Sequence, residues 1–125
     1  MSAVLPPSAD RITVEFPAGE GYRSVGRLVL GGLASRFELP IDRVEDLLLA
    51  AESLFLHTLA GATVQLEVEA APTGLLVRMG PFASPRLDDP AAVRVLTPLV
   101  DQIGEQAREN GSFVELLVSA GLVEG

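Results

Sequence analysis

Residues 63–79 read Thr63-Val64-Gln65-Leu66-Glu67-Val68-Glu69-Ala70-Ala71-Pro72-Thr73-Gly74-Leu75-Leu76-Val77-Arg78-Met79. Val64, Leu66 and Val68 alternate with polar residues, the period-two signature of a strand with one buried face. Pro72-Thr73-Gly74 supplies turn chemistry, and Leu75 to Met79 is a second strand, so the stretch predicts a hairpin. Two strands joined by a tight turn argue against a doubly wound parallel sheet, whose neighbours need crossover connections.

The flanks add helices and further strands. Arg11-Ile12-Thr13-Val14-Glu15-Phe16 alternates with Ile12, Val14 and Phe16 on one side, and Pro17 stops it. Val25, Leu28, Val29 and Leu33 share a helical face, predicting a helix over 22–37. Gly26, Gly31 and Gly32 each weaken that helix by roughly 1 kcal/mol relative to alanine. They read equally as tight internal packing or as a contact face. Pro40 opens a helix over 41–59, with Asp42, Glu45 and Asp46 near the positive end of its dipole. Its apolar residues span more than one stripe, which predicts burial on most sides. The proline-rich stretch 80–90 reads as a loop. Residues 91–108 read as a third helix, with Val93, Leu96, Val100 and Ile103 on one face and a kink at Pro98. Asn110-Gly111 is a turn, and 112–119 a last strand with Val114, Leu116 and Val118 on one side and Phe113, Glu115 and Leu117 on the other. The expected fold is α+β: a two-layer sandwich of a mixed β-sheet with three helices on one face.

Composition sets outer bounds. At 125 residues and 48% hydrophobic, the chain builds one domain with a core of Leu, Val and Ala. We expect residues 1–10 to form a flexible leader, 11–119 the domain and 120–125 a tail. The net charge is −8 and all nine basic residues are arginine, which argues against nucleic acid as a partner. With no cysteine and one histidine, thiolate and multi-histidine metal centres are excluded, and no metal site is expected. No signal-peptide pattern or membrane-length apolar run occurs, so the expectation is a cytoplasmic protein without membrane contact.

The order of these elements, with Ile12-Thr13-Val14-Glu15-Phe16-Pro17-Ala18, then Arg23-Ser24-Val25-Gly26-Arg27-Leu28, then Val44-Glu45-Asp46-Leu47-Leu48-Leu49-Ala50-Ala51-Glu52-Ser53, resembles the GHKL ATPase superfamily, in its anti-sigma-factor serine-kinase branch. The resemblance runs from Ile12 to Val118. It places Glu52 at that family's catalytic glutamate and Leu56 where an asparagine helps hold Mg²⁺. It places Arg78 and Gly80 in the Asp-x-Gly-x-Gly box that meets adenine, with only Gly80 matching. Leu87-Asp88-Asp89-Pro90-Ala91-Ala92 falls where a glycine-rich box covers the phosphates, and each carboxylate there opposes phosphate by roughly 1 kcal/mol or more. The resemblance therefore implies a degenerate regulator with lost or weak ATP binding. Such a protein would need no cofactor and would act by binding a protein, a sigma factor or an antagonist of the anti-sigma factor, and homodimers are common in that family. The alternative is a divergent serine kinase that uses ATP and Mg²⁺, with Glu52 as general base.

Each marked residue also has a plainer role. Glu52 has Leu48, Leu49, Phe55 and Leu56 at helical contact spacing, so burial would raise its pKa and suit a base; it also reads as an inherited carboxylate at a cavity rim. His57 has no marked partner and reads as a surface histidine. Arg78 could meet an anion, or pair with Glu67 or Glu69 across the hairpin. Asp88 and Asp89 read as a solvated loop, since adjacent carboxylates do not converge on one ion.

Overall fold

A computed structural model describes residues 11–19, 21, 23–55 and 63–119. The expected leader, residues 56–62 with His57 and the end of the second helix, and the tail lie outside the described residues. The elements run β1 (Arg11–Pro17), α1 (Arg23–Arg36), α2 (Ile41–Phe55), β2 (Thr63–Ala71), β3 (Gly74–Phe82), a 3-10 turn at Arg86–Asp88, α3 (Pro90–Leu96), β4 (Gln102–Arg108) and β5 (Gly111–Ser119). The five strands form one sheet in the order β1-β2-β3-β5-β4.

The α+β class and the helix-on-sheet layering are as the sequence implied, but the sheet is antiparallel at every pairing rather than mixed. Residues 102–108 account for the difference. The expected helix over 91–108 stops at Leu96, two residues before Pro98, which has no N–H to continue the ladder. The chain then turns and pairs Gln102 to Arg108 with Leu117 to Gly111. One helix between β3 and the next strand makes that strand run parallel to β3. Here that strand is β4, which lies at the edge, and the β4–β5 hairpin inserts β5 between them in the opposite direction.

Alternation sorts the sheet into two faces. Val64, Leu66, Val68, Leu75, Val77, Met79, Val114, Leu116 and Val118 are buried on the inner face in one cluster with Leu30 and Ala34 of α1, with Val44, Leu47, Ala50, Ala51 and Leu54 of α2, and with Leu96 of α3. The helices thus share the inner face. Of the three α1 glycines, Gly26 is required for packing: a Cβ there would stand 2.8 Å from the rings of Phe16 and Phe55, whereas Gly32 faces open space. Contrary to the expectation of a helix buried on most sides, α2 buries one face and leaves Ile41 79% and Leu49 50% exposed. No helix among the described residues is long and apolar enough to cross a membrane.

Candidate functional site

The positions singled out for nucleotide chemistry are Glu52, Leu56, Arg78 and Gly80. Leu56 lies outside the described residues, and the other three do not converge.

Glu52 is not buried. It is two residues from both Ala50 and Leu54, about 200° around the helix from each, so it points away from the core that they enter. Its apolar neighbours do not enclose it, because Leu48 packs under Gly31 of α1 and Leu49 faces solvent. Its carboxylate accepts a hydrogen bond from Arg27 of α1 at 3.2 Å, with the Glu52 side chain 47% exposed. Ser24, Arg27, Leu48, Ala51, Glu52 and Phe55 line a groove of ≈ 70 Å³ between the two helices. Sites for drug-sized ligands enclose about 300–1,000 Å³. Nothing in the sequence marks Arg27 as the partner of Glu52, since the pair depends on how α1 and α2 cross.

Arg78 and Gly80 belong to the other side of the sheet. Val77 and Met79 point inward, so Arg78 points outward, where it meets Glu115 at 2.7 Å, Glu69 at 3.0 Å and Glu67 at 3.6 Å. The cross-hairpin ion pairs are therefore present, and Glu115 on β5 extends them. Arg108 grips Glu67 with two hydrogen bonds, at 2.8 and 3.0 Å, and lies 4.0 Å over the Phe113 ring. Gly80 sits beneath that ring: a Cβ there would be 2.9 Å from Phe113 Cγ and 2.7 Å from the Ser112 carbonyl oxygen. Gly80 thus allows an aromatic ring to lie across the outer face.

The hydrogen bonds from Arg108 hold the Glu67 carboxyl below its ordinary range, against the opposing effect of burial, with the charges of Arg108, Arg78 and Arg11 adding to the lowering. A carboxyl depressed in the folded state stabilises the fold at pH above its unfolded value, and that contribution disappears as pH falls through the folded one. Glu67→Gln should therefore cost about 1–2 kcal/mol at neutral pH, and that cost should shrink as pH falls through the acid range in which the folded-state carboxyl takes up its proton. Urea titrations of both proteins across that range check this; an equal cost at every pH would contradict it.

The loop before α3 is occupied by the chain's own carboxylates. Asp89 caps α3, accepting from the Ala91 N–H at 3.0 Å, while Asp88 is exposed. Glu105 on β4 accepts from the N–H groups of Arg86 and Leu87 and from the Ser112 hydroxyl. Missing β4 in the sequence meant missing Glu105. These residues fit a bound nucleotide poorly: Glu52 and Arg78 are separated by the sheet, Gly80 is covered, and three loop N–H groups already serve carboxylates.

No family model matches the chain. Over 53 residues it is 38% identical to proteins named serine-protein kinase RsbW, from Listeria monocytogenes (serotype 4a, strain HCC23) and Listeria innocua (serovar 6a). The match takes in 42% of this chain and 34% of each relative, so the chain spans about a third of the length of the curated relatives it matches. It is in line with the resemblance read from the residues, and it is partial.

Proposed function

We propose that this protein is a regulator of the anti-sigma-factor kinase type that acts by binding another protein, with ATP binding weak or lost. The observation that carries this reading is the separation of Glu52 from Arg78 and Gly80 by the whole sheet. A general base acts only when its substrate is held within about 3 Å in a defined pose. The groove beside Glu52 is small, at ≈ 70 Å³, and the groups that would hold phosphate are engaged elsewhere. Capture of a protein needs only surface shape and charge, and the acidic balance favours a basic partner segment. A sigma factor or an antagonist of the anti-sigma factor is the partner that the resemblance suggests, and the partial likeness to serine-protein kinases supports regulation of this kind.

Glu52→Gln keeps the size and the hydrogen-bonding reach of the side chain while removing its charge. The variant is expected to fold and to keep both partner binding and regulatory effect in cells. Normal folding and intact partner binding with regulation abolished would favour the ATP-dependent serine kinase instead.

A further inference from the structure

The outward face of α2 carries two of the five large apolar side chains that stand exposed among the described residues. Ile41, Glu45 and Leu49 follow one another at spacings of four, so Ile41 and Leu49 form two apolar knobs about 12 Å apart along the helix. Both are at least half exposed, and Asp42, Glu45 and Glu52 beside them are exposed as well. Among the described residues Asp42 and Glu45 make no ion pair. The one base of α2, Arg43, is turned away and held by Asp46 at 2.8 Å and Asp101 at 2.7 Å. Among the described residues Arg27 is the cation paired on this face, bound to Glu52. Uncompensated carboxylates around apolar knobs repel an acidic surface and select a partner that brings both apolar contact and positive charge.

We infer that this face of α2 docks a basic amphipathic helix of a partner protein. The partner presents two apolar residues seven or eight positions apart, one for Ile41 and one for Leu49, with Arg or Lys between and beside them for Asp42 and Glu45. The inference rests on the protein-binding reading above and gives it a location and a partner chemistry. A second copy of this chain is a poorer occupant, because the same carboxylates would face one another across a two-fold contact.

The test uses the full chain, labelled with ¹⁵N, and a synthetic helix-favouring peptide of about 15 residues with leucines at that spacing and arginines between them. A matching peptide with glutamate in place of arginine is the control. The arginine peptide should shift amides centred on residues 41–52, and the glutamate peptide should not bind. Ile41→Ser with Leu49→Ser, both solvent-facing, should leave the remaining spectrum unchanged and weaken the arginine peptide about tenfold or more. A shift map centred elsewhere, equal binding by the glutamate peptide, or unchanged affinity in the double variant would overturn the inference. So would sedimentation showing a dimer that the double variant converts to monomer. Each of those results leaves the protein-binding reading standing, which fails separately if Glu52→Gln abolishes regulation with partner binding intact.

Discussion

Arg78→Asp, which restores the acidic residue that the resemblance expects at this position, should destabilise the protein severely and create no nucleotide site. The Arg78 side chain is 17% exposed and stands among Glu67, Glu69 and Glu115. Removing one member of a buried ion network costs about 3–5 kcal/mol, because the partners keep their charge without compensation. Glu69 and Glu115 are each about one-third exposed, so solvent relieves part of that cost. A fourth carboxylate adds repulsion in return, which brings the expectation to about 3 kcal/mol or more out of a total stability of about 5–15. Arg78→Met, which keeps much of the volume and adds no charge, should be milder. Urea unfolding of the two variants measures the difference. An Arg78→Asp protein as stable as the parent, with new affinity for Mg-ATP, would show that position 78 belongs to a nucleotide site after all.

Gly80→Ala should cost about 3 kcal/mol, at the upper end of overpacking by one methyl group. The added Cβ would collide with a backbone oxygen of β5, which cannot rotate away, and with the buried ring of Phe113. Gly32→Ala is the internal contrast: nothing lies within 4 Å of its Cβ position in α1, so the substitution should stabilise by about 0.5–1 kcal/mol. Thermal and urea denaturation separate the pair. If Gly80 instead served nucleotide binding, its alanine variant would keep its stability and lose only affinity for nucleotide.

The parts of this fold that were legible in the sequence are those whose side chains repeat with a clear period. The 63–79 hairpin, β1 and the two faces of β5 were readable because each strand alternates strongly enough to fix which face is buried. β4 was not, since Gln102-Ile103-Gly104-Glu105-Gln106-Ala107-Arg108 has one large apolar residue and takes its conformation from pairing with β5. The Asn110-Gly111 turn was the available signal, because a tight turn ahead of a strand favours another strand before it. Pro98 was a second, read as a kink where the helix had already ended.

The site was legible in places for the same reason. Arg78 lies between Val77 and Met79 on a strand with a buried face, so alternation alone sends it outward; alignment to a family motif carries no such directional information. Glu52 went the other way. Of its apolar neighbours at three and four residues, Leu48 and Phe55 pack against α1 and Leu49 faces solvent, and only the crossing of the two helices decides that.

The most direct measurement is a calorimetric titration of the intact chain with Mg-ATP. With Glu52 paired to Arg27, Arg78 locked on the outer face and the loop N–H groups taken by Asp89 and Glu105, binding should be no tighter than about 1 mM, a free energy of about −4 kcal/mol. A dissociation constant in the low micromolar range would contradict the account and restore the kinase.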